Sequence, residues 1–101
     1  MLAKHPKSLL VIVAEAALEK NLVRDVKAAG AQSWTVYDVR AVGREGEREG
    51  AWEADRTIEM KVICDEAVAD HIAEHVLANY AANFSVAMHF ASVTVLRPER
   101  Y

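Results

Sequence analysis

Apolar positions along the chain fall into six segments, and their period switches between strand and helix. Leu9-Leu10-Val11-Ile12-Val13-Ala14 is apolar at every position, the mark of a strand covered on both faces. From Glu15 to Ala29, Leu18, Leu22, Val26 and Ala29 recur at helical spacing, and Gly30 supplies a stop. Ser33 to Arg40 is rich in β-branched and aromatic residues and predicts a second strand. Thr57 to Cys64 alternates, with Ile58, Met60, Val62 and Cys64 on one side and Glu59 and Lys61 on the other, a third strand. Asp65 to Tyr80 carries Val68, Ile72, Val76 and Tyr80 on one helical stripe, with Asp65 placed to cap. Val86 to Leu96 predicts a fourth strand, ended by Pro98.

The order strand, helix, strand, strand, helix, strand is that of an α+β, ferredoxin-like βαββαβ sandwich, with both helices on one face of the sheet. The first strand has no polar alternation to offer water on the other face. A chain of 101 residues has little else to cover it, so a second copy is expected there, and the protein is expected to be an oligomer.

Length and composition narrow the function. Residues 1–101 predict a single domain with a modest core. The net charge of −3 gives no electrostatic footprint for nucleic acid or an acidic membrane. Cys64 is the only cysteine, which excludes an intrachain disulfide and suits a reducing compartment. No apolar run approaches the ~20 residues of a membrane span. Lys4 and Lys7 precede an apolar run that lacks a small-residue cleavage pattern, so a cytoplasmic location is expected rather than secretion.

Catalysis finds no constellation in the sequence. His71-Ile72-Ala73-Glu74-His75 spells H-x-x-E-H, the helix of an inverted zinc peptidase, but both histidines fall off the apolar stripe and read as a polar face. His5 is expected in a frayed terminus, and His89 to pack or lie on the surface. The serines lack a nucleophile elbow, and Cys64, on the apolar side of its strand, reads as a buried hydrophobe. Neither a P-loop nor a G-x-G-x-x-G turn is present. Binding is the better expectation, and no catalytic residue or metal ligand is assigned.

The segment from Val42 to Arg56 is the feature that points to binding. It is long for a link between sequential strands, dense in charge, and carries Gly43, Gly46 and Gly50, with Trp52 as a lone apolar residue. Arg44 and Arg48 lie four apart after Gly43, and guanidinium forks grip phosphate oxygens in pairs. Arg97 and Arg100 near the end of the last strand offer a second pair.

Ser33-Trp34-Thr35-Val36-Tyr37-Asp38-Val39-Arg40-Ala41-Val42-Gly43-Arg44 resembles the second strand and loop entrance of the P-II signalling proteins, and the long segment, roughly 42–56, sits where their T-loop does. Leu10 to Glu15, Lys61 to Asp65, the loop Tyr80 to Ser85 and the tail Val95 to Tyr101 are similar to the PII-like regulators encoded beside bicarbonate transporters and to the carboxysome-associated PII proteins. The resemblance spans nearly the whole chain. It implies a homotrimer with adenine nucleotides in the clefts between subunits, bicarbonate as a second ligand, and a T-loop that meets a partner such as a membrane bicarbonate transporter, so that the protein controls inorganic-carbon uptake linked to carboxysomes.

By the same resemblance, Thr35 matches an adenine-contacting threonine and Val13 the apolar residue under the base. Ala41, Val42, Gly43 and Arg44 match the T-loop base that meets ribose and phosphates, and Arg48 a phosphate-gripping arginine. The backbone of Ala82, Asn83, Phe84 and Ser85 matches the B-loop, and Arg97 the first of two strand-end arginines. Here the B-loop lacks the glycines and following lysine of nitrogen-sensing members, and the second arginine falls on Glu99, with Arg100 beside it as a substitute. These departures favour ADP or AMP over ATP. The segment has no tyrosine to be uridylylated, and the paired cysteines of redox-switched relatives are absent. The alternative from another class is a small trimeric ferredoxin-like enzyme or metal-handling protein of the copper-tolerance type, for which only His71 and His75 offer ligands.

Overall fold

The computed structural model describes residues 1–43, 46–47 and 56–101. Strand β1 (His5–Glu15) is followed by a 3-10 turn (Ala16–Leu18) and helix α1 (Glu19–Ala28). Strand β2 (Trp34–Val39) leads to the two-residue strands β3 (Val42–Gly43) and β4 (Gly46–Glu47), then to β5 (Thr57–Cys64), helix α2 (Glu66–Asn79) and β6 (Val86–Val95). A second 3-10 turn spans Pro98–Arg100. The four long strands form one sheet in the order β2-β5-β1-β6, with every neighbouring pair antiparallel. This is the α+β, ferredoxin-like arrangement expected from the order of elements. The short strands β3 and β4 pair separately, Val42 with Glu47 and Gly43 with Gly46.

Register decides which residues share a face. Leu10 pairs with Val62 and Phe90, Ile12 with Met60 and Met88, and Ala14 with Ile58 and Val86. Except for Phe90, which remains half exposed, these positions join Leu18, Leu22, Val26, Ala69, Ile72 and Val76 in the core beneath the helices. Fully burying one large aliphatic side chain contributes about 1.5–3 kcal/mol, so the helix-covered face holds the fold. The opposite face carries Leu9, Val11 and Val13 of β1, flanked by Ile63 and by Ala87, His89 and Ala91 of β6. No helix among the described residues packs there, and the three β6 residues are exposed.

Three expectations need correction. The first strand starts four residues before Leu9: His5 pairs with Val95, so it is part of the ladder rather than frayed. Pro6 is tolerated because β5 pairs only from Ser8 onward, leaving the far side of β1 open at that point. The first helix is not continuous from Glu15. Glu15 is extended, Ala16 N–H donates to the Arg56 carbonyl at 2.8 Å, and the α-helix starts only at Glu19. Asp65 occupies the position before α2 with extended backbone but makes no side-chain cap. The Lys7 ammonium, beside it beyond the Ser8–Cys64 pair, takes the carboxylate at 2.6 Å instead.

Cys64 is buried, as expected. Burial pushes its thiol above the ordinary range, with Asp65 adding to the effect and Lys7 opposing it, which leaves little thiolate to react.

Gly30 ends α1 as its position foretold. Its φ of +104° lets Gly30 N–H reach the Lys27 carbonyl at 3.1 Å and Ala31 N–H the Val26 carbonyl at 3.0 Å. These are the two bonds of a Schellman cap, with Ala31 buried beside Val26. No atom lies within 4 Å of where a Cβ would stand, so the conformation alone resists substitution. Gly30→Ala is expected to destabilise the fold by roughly 1–2 kcal/mol, read from the denaturant midpoint; an unchanged midpoint would mean the cap relaxes freely.

Candidate functional site

The open face of the sheet carries polar groups in rows. Thr35, Lys61 and Val11 align across β2, β5 and β1, and Tyr37, Glu59 and Val13 form the next row. The Tyr37 hydroxyl donates to the Glu59 carboxylate, and the Lys61 ammonium lies 5.6 Å over the Tyr37 ring. Hydrogen bonding to Tyr37 is the main cause that pushes the Lys61 ammonium above the usual lysine range; electrostatic attraction to Tyr37 and Glu59 adds to it, and desolvation opposes it. Lys61 therefore remains a cation. At the end of this face, a cleft of about 340 Å³ is lined by Gln32, Ser33, Trp34, Thr35, Lys61 and Ile63 together with Arg100 and Tyr101. Among the described residues its lining has two cations and no aspartate or glutamate side chain, a setting that favours an anionic group.

Of the residues singled out in sequence, the structure thus brings Thr35 and Arg100 into one cleft. Val13 lies half-buried one row away on the same face. Arg97 is exposed, and its Nε is held by the Glu99 carboxylate at 3.2 Å. Arg44 and Arg48 lie outside the described residues, as does Trp52.

The other expected contacts lie at the far end of the sheet. Ala41 is half-buried, Val42 is exposed and Gly43 belongs to β3. They follow β2, whose last residue, Val39, pairs with Thr57. The segment Ala82–Ser85 precedes β6, whose first residue, Val86, pairs with Ala14. Both segments are therefore at one end of the sheet but on opposite edges, since β2 and β6 are its outermost strands. A single chain does not gather them around one ligand. Nearby, Arg56 clasps the Asp38 carboxylate with Nη1 at 3.0 and 3.2 Å, closing the base of the long segment.

The turn after α2 is built on Tyr80. Its carbonyl accepts from Asn83 N–H at 3.2 Å and from Phe84 N–H at 2.9 Å. The Phe84 ring packs against the core and meets Tyr80 edge-on, centroids 6.3 Å apart. Phe84 thus shapes the turn with its side chain and commits its amide within it.

Sequence reasoning missed Lys61 as a site residue, although the alternation of β5 already placed it on the open face with Glu59. It also missed a cluster between the helices: Asp25, Arg24, His75 and Tyr80. His75 Nε2 lies 3.2 Å from Asp25 Oδ2, and its Nδ1 lies 3.3 Å from Asn79 Nδ2. Both ring nitrogens are engaged, while His71 is exposed, so the H-x-x-E-H spelling does not present two free imidazoles. No helix among the described residues is long and apolar enough to cross a membrane.

Comparison with known proteins places this geometry in a family. The sequence model described as "Nitrogen regulatory protein P-II" matches residues 7–100. The structure is similar to that of a PII-like signalling protein from Thermus thermophilus, 35% identical, with 99% of each chain covered and a TM-score of 0.85. It is also similar to CPII, a nitrogen regulatory PII-like protein from Thiomonas intermedia, solved with ADP, AMP and bicarbonate: 21% identical, 99% of this chain and 97% of that one covered, TM-score 0.88. The apo form of CPII matches over 94% of this chain and 99% of that one, at 19% identity and a TM-score of 0.69. No curated protein matches the sequence. With the family model covering nearly its entire length, the chain belongs to the nitrogen regulatory protein P-II family.

Proposed function

We propose that this PII-like regulator binds ADP or AMP, in preference to ATP, in clefts between the subunits of a homotrimer, with bicarbonate as a second ligand. The observation that carries the reading is the cleft in which Thr35 meets two cations, Lys61 and Arg100, with no aspartate or glutamate side chain among the described lining residues. Solved CPII holds ADP, AMP and bicarbonate, which supports the same ligand classes here. The separation of Ala41–Gly43 from Ala82–Ser85 on opposite sheet edges supports a site completed by a neighbouring copy. Val13, Arg44, Arg48 and Arg97 complete the proposed contact set, and Lys61 joins it. The protein is a cytoplasmic binder rather than an enzyme. Its output is the segment 42–56, which an ordered ligand presents to, or withholds from, a partner such as a membrane bicarbonate transporter in carboxysome-linked carbon uptake. A ligand that contacts only one arrangement of that segment shifts the population toward it.

The open face bears Leu9 and Val13, half-buried, beside Val11, already buried, with no helix over it among the described residues, and a second and third copy cover it. Sedimentation equilibrium at micromolar concentration is expected to give the mass of three chains. A stable monomer would leave that face without an explanation and remove the inter-subunit site.

The arginines separate phosphate binding from ordinary surface charge. Replacing Arg44 or Arg48 by alanine is expected to remove charge-assisted bonds worth roughly 1.5–3 kcal/mol, weakening ADP by about ten- to a hundredfold in calorimetry. Adenosine, lacking phosphate, should lose little further. Lys20→Ala, on the exposed side of α1, is the control. ADP affinities equal to the parent in both arginine variants would move the phosphate site to Lys61 and Arg100.

If the segment is the output, ADP should slow amide exchange across residues 43–55 relative to the ligand-free protein. Identical exchange in the two states would reduce the protein to a passive binder.

A further inference from the structure

We propose that Asp25 and Tyr80 are positioning residues of the nucleotide site, holding the turn from Ala81 to Ser85 in the shape that meets a ligand. The role rests on the reading above that this turn contacts the nucleotide. It is carried by a cluster that none of the expected ligand contacts accounts for.

The Asp25 side chain, on α1, is only 9% exposed, and donors converge on it from both helices. Its Oδ2 accepts from the Tyr80 hydroxyl and from His75 Nε2 at 3.2 Å. Its Oδ1 accepts from Arg24 Nε and Nη2, each at 3.2 Å. Asn79 Nδ2 donates to the His75 carbonyl at 2.8 Å and lies 3.3 Å from His75 Nδ1, so Nε2 is the ring nitrogen that faces Asp25. A carboxylate this shielded is stable only with such partners.

Tyr80 transmits the anchorage to the turn. Its hydroxyl is fixed by Asp25, and its ring stands edge-on between His75, at 6.1 Å, and Phe84, at 6.3 Å. Its own carbonyl is the acceptor for the Asn83 and Phe84 amides. One residue is therefore pinned at its tip by α1 and carries at its backbone the two bonds that define the turn. Freeing the tip loosens both the ring stack on Phe84 and the carbonyl from which the turn hangs.

Tyr80→Phe deletes the hydroxyl and keeps the rings in contact, so the fold is retained. The expected result is a loss of ADP affinity of roughly two- to thirtyfold, the range for residues that act on a site without touching its ligand. Amide exchange at Asn83 and Phe84 should quicken, with exchange in β1 and β5 unchanged. Asp25→Asn keeps an acceptor for the hydroxyl and should bind ADP more tightly than Tyr80→Phe does. Lys7→Met breaks the 2.6 Å contact to Asp65, far from the turn, and should leave ADP affinity at the parent value. Parent-like ADP affinity in Tyr80→Phe overturns the positioning role alone. A parent protein that does not bind ADP overturns the nucleotide reading, and the positioning role with it.

Discussion

From Leu9 to Ala14 strand β1 is apolar on both faces, and the helices among the described residues cover only one of them. The side carrying Leu10, Ile12 and Ala14 is buried against α1 and α2, and the burial of that side is what makes the domain. The side carrying Leu9, Val11 and Val13 is bordered by small β6 residues, Ala87 and Ala91, which permit close approach by another surface. The same strand thus makes the tertiary fold with one face and calls for quaternary structure with the other. On the reading proposed here, a polar alternation in β1 would remove the reason for a neighbouring copy and with it the shared cleft.

Much of this was legible in sequence, because it rests on periods. The unbroken run Leu9–Ala14, the alternation from Ile58 to Cys64 and the stripe from Val68 to Tyr80 each fix an element and its buried side, and Gly30 fixes an end. What escaped was set by contacts distant in the chain. His5 joins the ladder because Val95 lies opposite, and Asp65 gives up capping because Lys7 arrives from β1. The 3-10 turn before α1 forms where the Arg56 carbonyl captures Ala16 N–H. The site was legible in part. Thr35 and Arg100 were named by resemblance, and the fold brings them to one cleft; Lys61 escaped because one charged residue on an alternating strand looks like any solvated position. The Asp25–Tyr80 contact joins residues 55 apart, beyond any local pattern.

The distribution of polar groups follows from this division of labour. Between the two ends of the sheet the residues are committed to packing and pairing, and little can change there without loss of stability. The ends carry exposed residues such as Val42, Asn83, Arg97 and Arg100, where substitution is cheap. The cleft at Thr35 and Arg100 lies at one end, and the segments around Val42 and Asn83 at the other. A family built this way can change the residues at either end without disturbing the framework between them.

The pairing of Arg97 with Glu99 has a consequence for sensitivity. A phosphate that recruits Arg97 must first displace a carboxylate two residues away, tethered to the same turn and present at all times. An exposed pair of this kind contributes at most about 1 kcal/mol, a factor of roughly five in a dissociation constant. Glu99 therefore competes for Arg97 with any anion that approaches it, and weakens such a contact by no more than that factor.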